Sequence, residues 1–348
     1  MAYTTIDDPT IYFNTVLFSG NETARSITGV GFQPDWVWIK DRSQSYNHHL
    51  FDSVRGATKR LKSDVTDAES TNAQTLTAFG SDGFSLGTDN ATNGNGSSVV
   101  SWNWKAGTSF TNDASSTGIG SIDSTGSVNT DAGFSIVSWT GTGSAGTVAH
   151  NLGSVPEWYI IKNRSDANNW AVYHHKSNSN PEQYALYLDS TSAATDDSGL
   201  ANDTAPTSTV FSLTNGNYGN QSSYNYIGYF FSEVQGYSKF GSYVGNGSSS
   251  GTYVHLGFKP AWVLMKATTA GEHWNLHDNK RDPINVCDAA LKPNNSSTEE
   301  DTDRLDFVSN GFKHRSSGGG YNSSNTFIYM AFAESPFVNS NGVPNNAR

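Results

Sequence analysis

Apolar residues come in short runs along the chain, separated by glycine- and asparagine-rich turns. FSIVSWTG, from Phe134, and HHLFDSV, from His48, alternate apolar and polar positions. That period of two marks a strand buried on one face. DWVWIK, from Asp35, alternates poorly but is β-branched and aromatic, as suits a strand packed on both faces. Turn clusters such as NGNGSS, SDGFS, GTGSAG, GNGSSSG and RSSGGGYNSSN recur about every eight to twelve residues, which predicts a sandwich or barrel. In the first hundred or so residues the pattern predicts seven strands, near 13–18, 25–30, 35–42, 48–54, 59–63, 76–87 and 98–105.

The same pattern occurs three times. GFQPDWVWIKDRS from Gly31, LGSVPEWYIIKNRS from Leu152 and LGFKPAWVLMKATT from Leu256 align. Pro34, Pro156 and Pro260 coincide, as do Trp36, Trp158 and Trp262, and Lys40, Lys162 and Lys266. Asp52, His174 and Asp278 each lie sixteen residues after their tryptophan. Each copy closes on an aromatic strand: VVSWNWKAG, YIGYFFSEV and IYMAFAESPF. The expectation is an all-β chain of three tandem β-sandwich repeats, jelly-roll or lectin-like, each of about 100 residues. Residues 1–107 hold an N-terminal lead and the first sandwich, 108–131 a Gly/Ser/Thr/Asp-rich linker, 132–236 the second sandwich, and 237–348 the third with a C-terminal tail. On this reading the second and third units are stiffly coupled and the first is freer.

Composition narrows the class. Aromatics make up 12% of the 348 residues and charged residues 15%, which excludes a disordered chain and a helical bundle. No run approaches the roughly 20 apolar residues that cross a bilayer, so membrane insertion is not expected. Net charge is −11 with scattered Lys and Arg, which excludes a basic stripe for nucleic acid. Cys287 is alone and reads as a small buried hydrophobe. The opening MAYTTIDDPTIYF lacks the basic and apolar regions of a signal peptide, implying synthesis in a cytoplasm.

Several blocks then carry a resemblance. MAYTTIDDPTIYF, QPDWVWIKDRS, LFDSVRG, LTAFGSDGFSLGTDN, DTAPTSTVFSL, EVQGYSKFGSYVGNG, IYMAFAESPF and the ending NNAR span nearly the whole chain. Together they resemble an uncharacterised triple-repeat domain family of virion and tail-fibre-like proteins of tailed phages, especially marine phages. The resemblance implies a non-enzymatic structural protein of the virion, probing a host-surface glycan or protein as part of a tail fibre or adhesin. It implies other virion proteins as partners and a homo-oligomer, by analogy a trimer, and it supplies no catalytic residues. A capsid decoration or head-fibre protein, and a glycan-binding lectin module, are the alternatives.

Candidate chemistry is sparse. Trp36, Trp158 and Trp262 could stack on sugars, but mid-strand positions favour the core. Lys40, Lys162 and Lys266 are expected at solvated strand ends, with the ammonium in water. His48-His49 and His174-His175 look like metal pairs, yet neighbours on a strand point to opposite faces. His48, Trp170 and Trp274 also share one slot, which suits packing. Asp82, Asp89, Asn90 and Asn93 match no calcium-loop spacing and read as Asx turns. The carboxylates cluster in loop-like segments at Glu299–Asp301 and Asp196-Asp197, and no nucleophile elbow, phosphate loop or zinc motif occurs. Neither an enzyme nor a cofactor is expected. The lead, Met1 to Tyr12, has no counterpart in the other units and is assigned to docking or subunit contact.

Overall fold

Trp36–Asp41 pairs with Ser98–Trp104 on one side and His49–Asp52 on the other. Phe13–Ser19, Lys59–Lys62 and Ser70–Thr71 complete a six-stranded antiparallel sheet. The computed structural model describes residues 3–346. A second large sheet centres on Asn225–Phe231, between Phe134–Thr140 and Trp158–Asn163, and a third on Thr326–Pro336, between Ser238–Val244 and Phe258–Ala267. Pairing registers match among the three. Trp36 faces Asp52 and Trp104, Trp158 faces His174 and Phe231, and Trp262 faces Asp278 and Phe332. The protein is all-β.

Each large sheet has a smaller one against it. Val37, Ile39 and Phe51 pack on Ile27, Phe84 and Leu86 of the Arg25–Thr28, Leu76–Gly80 and Gly83–Leu86 sheet. Tyr159, Ile161 and Phe230 pack on Val148, Phe211 and Leu213. Val263, Met265 and Tyr329 pack on Val254, Phe307 and Phe312, with Cys287 fully buried among them. Alternation sends the intervening side chains the other way. There, Trp36, Trp38, Trp102 and Trp104 meet Trp158, Ile160, Tyr229 and Phe231, and both groups meet Trp262, Leu264 and Phe332, in one core common to the three large sheets. That second cover is why DWVWIK reads as an unbroken apolar run.

Several expectations are corrected. Segment 108–131 is not a linker. Thr108–Asn112 and Ser124–Asn129 extend the second large sheet to eight strands, joined by a short helix, Ala114–Thr117, capped by Asp113. The Phe110 ring lies over Gly126, where an added Cβ would come within 2.6 Å of it. The first sandwich is not freer than the others, because its tryptophans stand in the shared core. Pro34 and Pro156 precede their strands, but Pro260 lies inside Phe258–Ala267, and the ladder shifts register on both sides of it. A residue without an N–H donor leaves such an irregularity. Segment 76–87 is a hairpin, Leu76–Gly80 and Gly83–Leu86.

The lead packs on its own chain. Tyr3 donates its hydroxyl to Gly257 O (2.6 Å) and Thr4 to Gln235 O (2.8 Å), while Ile6 is buried in the shared core. Ser340 N donates to Asp7 (2.6 Å), so lead and tail meet. These contacts occupy the segment assigned to docking; Met1 and Ala2 lie outside the described residues.

Candidate functional site

The three aligned tryptophans are interior. Trp36, Trp158 and Trp262 are each 0% exposed. Trp36 stacks on Tyr229 with centroids 4.5 Å apart, and Trp158 stacks on Phe231, also at 4.5 Å. All three indole nitrogens lack a hydrogen-bond partner among the described residues and lie among rings, the setting for weak N–H···π contacts. No ligand reaches a ring so placed.

The lysines overturn their expectation. Lys40, Lys162 and Lys266 are fully buried. Positions 36, 38 and 40 share one face of their strand, so the lysine follows its tryptophans inward. The Lys162 ammonium donates to Asn163 O (2.8 Å), Thr66 O (3.0 Å) and Asn168 O (3.0 Å). Lys40 donates to Asp41 O (2.6 Å) and Gln44 O (3.1 Å), and Lys266 to Thr191 O (3.0 Å) and Ala267 O (3.1 Å). Burial pulls each ammonium down to about 8. The lysines therefore seat loops. Lys40 and Lys162 hold the turn that follows their own strand, while Lys162 and Lys266 also hold a carbonyl of the preceding sandwich.

Three seams separate the sandwiches. Between first and second, Arg55 pairs with Asp52 and Glu69, and Arg164 pairs with Glu69 at 2.9 Å. Between third and first, Arg281 pairs with Asp278 (2.5 Å) and Glu299 (2.7 Å), and Arg42 also pairs with Glu299. Buried beside carboxylates, Arg55 and Arg281 are held above the ordinary arginine range, the ion pairs outweighing desolvation. Glu69 N donates to Arg164 O (3.0 Å), Glu299 N to Arg42 O (2.9 Å) and, at the remaining seam, Ala194 N to Thr268 O (2.9 Å). Among the described residues, no ion pair joins the sandwiches at that last seam. His174 Nε2 meets Tyr329 O (3.2 Å) and His175 Nε2 meets Phe240 O (2.7 Å). Burial lowers His174 to about 3, so it is neutral near pH 7.

Of the other candidates, His48, Asp82, Asp89, Asn93 and Asp197 have structural partners, while both ring nitrogens of His49 are buried without one among the described residues. His48 Nδ1 accepts from Trp38 Nε1 (3.0 Å) and does not join His49 in a ligand set. Among the described residues, no three or more His, Cys, Asp or Glu side chains form a metal cluster. Asp82 accepts from Gly29 N (3.0 Å) and Gly31 N (2.7 Å), and Asp89 from Ala91 N (3.0 Å) and Asn72 (2.9 Å). Asn93 is fully buried and tethers Asn21, Thr23 and Gly87. Asp197 caps the helix Ser198–Ala201, and Glu300 and Asp301 lie in the strand Glu300–Val308 rather than in a loop.

What faces outward are loops on this frame. Two polar grooves lie between the loop after a seated lysine and a short helical turn: one between 44–46 and 90–97, the other between 272–275 and 318–321. A comparison with protein families matches residues 8–336 to a domain of unknown function, DUF7483. The chain belongs to this family. Searches of curated proteins and of solved structures each found no match. For this DUF7483 chain, then, the candidate site rests on geometry. Sequence reasoning passed over Glu69, Arg42 and Arg164. One signal was available: DRS and NRS follow two of the repeated lysines, and D-x-x-R occurs at Asp52–Arg55 and again at Asp278–Arg281.

Proposed function

We propose that this chain is a non-enzymatic structural component of a phage virion, a tail fibre or adhesin part that presents loops to a host surface, and that its three sandwiches are copies of one unit. One observation carries the reading: a single core common to all three large sheets. It makes a stiff frame, and stiffness lowers the ordering cost of binding through loops. The buried Asp, Glu, Arg, Lys and His residues at the seams serve that frame. The phage origin rests on the sequence resemblance. Other virion proteins are the partners, and a homotrimer would multiply weak contacts through effective concentration.

A cryo-EM map of the virion tests this reading. Density for the chain at the tail supports it. Density on the capsid replaces it with a decoration role, and absence from the particle overturns it.

A further inference from the structure

The walls of the groove beside Lys40 are held by buried groups. On one wall, the Asp41 carboxylate accepts from Ser43 N (2.9 Å) and Gln44 N (3.0 Å), while the Lys40 ammonium holds Gln44 O at 3.1 Å. Tyr46 N closes the turn on Gln44 O at 2.8 Å. The Tyr46 side chain is thereby presented outward, 38% exposed. On the other wall, Glu22 sits at φ +55°, a left-handed conformation that costs a non-glycine residue energy. Its N–H is held by Asn93 O at 2.7 Å. The buried Asn93 side chain fixes the surrounding backbone through Asn21 N, Thr23 O and Gly87 O.

Between these walls lies a groove of about 250 Å³, lined by Glu22, Gln44, Tyr46, Asn90, Asn95 and Ser97. The side chains of Glu22, Gln44, Asn90 and Asn95 have no hydrogen-bond partner among the described residues, and the Tyr46 hydroxyl has none either. Among the described residues, no basic side chain lines it. The lining therefore offers an aromatic face, planar amides and one carboxylate, and no basic side chain. The corresponding groove of the third sandwich is different in kind, with Glu272, His273, Lys292, Glu300 and Arg304.

We propose that the Glu22–Tyr46 groove binds a neutral glycan, one or two sugar rings at a time. The apolar face of a pyranose lies on the Tyr46 ring. Its hydroxyls donate to the Glu22 carboxylate, a charge-assisted bond, and exchange hydrogen bonds with Gln44, Asn90 and Asn95. Acidic sugars are rejected because a carboxylate meets them and no basic side chain is in the lining. The proposal deepens the attachment reading and rests on it only for the source of the glycan.

The test uses the full chain and ligand-observed NMR with methyl glycosides of glucose, galactose, mannose and N-acetylglucosamine, beside glucuronic and sialic acid. At least one neutral glycoside is expected to bind, and neither acid. Tyr46→Ala and Glu22→Gln should each weaken binding about tenfold or more at unchanged melting temperature. Lys292→Ala, in the other groove, should leave binding intact. Failure of all four neutral glycosides, preference for an acid, or binding indifferent to Tyr46→Ala overturns the site. A glycoside that binds a chain absent from the virion would overturn the attachment reading and leave the site standing.

Discussion

Tyr229 donates its phenol to the carboxylate of Asp52 at 2.7 Å, both side chains buried and 177 residues apart in the chain. The third-to-first seam repeats the relation with other chemistry, Trp102 Nε1 donating to Asp278 at 2.9 Å. Tyr229 pairs with Ile160, Trp102 with Trp38, and Met330 with Leu264, so these three donor positions correspond. At the second-to-third seam the donor position is thus a methionine, which has no proton to give. A carboxylate opposite it would be buried without a partner, a costly state. His174 stands there instead and turns to a backbone carbonyl.

Breaking a clamped seam should cost far more than breaking a surface pair. Arg55→Ala leaves the buried Asp52 without its cation and Glu69 with Arg164 alone, and is expected to destabilise by about 3–5 kcal/mol. Lys62→Ala removes a pair whose Asp67 is 58% exposed, and should cost below about 1 kcal/mol. Urea unfolding of the two variants checks the contrast; equal losses would contradict it.

The shared core couples the sandwiches. Trp158→Ala is expected to cost roughly 3–5 kcal/mol and to lower one common melting transition. Calorimetry resolving a separate, unshifted transition for the first or third sandwich would show that the core does not join them.

Lys162→Met keeps the stem and removes the ammonium, leaving Thr66 O, Asn163 O and Asn168 O without that donor. Each carbonyl left unsatisfied costs about 1–3 kcal/mol. Reduced stability with increased amide exchange near Thr66 and Asn168 is expected. A variant as stable as the parent would return the lysine to the solvated role.

Acid should loosen the second-to-third seam. His174 is lowered to about 3 in the folded chain against 6.5 unfolded, so the unfolded state takes up the proton first. The stability tied to its neutral form is full above pH 6.5 and is lost as pH falls toward 3. His49 and His314, also lowered to about 3, act in the same direction. His174→Gln keeps a donor for Tyr329 O and an acceptor for Lys176 N. Its melting temperature should fall less than the parent's between pH 7 and pH 4; parallel falls would contradict this.

Strands were legible because the period of two is a local signal: 13–18, 35–42 and 98–105 are found as Phe13–Ser19, Trp36–Asp41 and Ser98–Trp104. What covers a strand's second face is not local. DWVWIK showed that both faces were covered, but not that the cover came from residues 120 and 220 or so further on. Lys40 was misplaced by reading it as a strand end when its spacing from Trp36 and Trp38 set it on the inward face. Segment 108–131 carried little apolar alternation because TSFTN and STGSVN extend a sheet that keeps part of its surface in water. Glu22, Gln44 and Tyr46 lie in turns about twenty residues apart, without periodicity to bring them together; the ladder between Phe13–Ser19 and Ser98–Trp104 helps to do so.

The seated lysines grip main-chain oxygens, and every amino acid brings one of those. Gln44, Thr66 and Thr191 are held by what all residues have in common, not by their own side chains. Mutation can therefore rewrite the outward face of these loops while their footing stays in place. Lineages that share this frame are free to diverge in what they bind, and change should gather at the loop tips while the lysines beneath them persist.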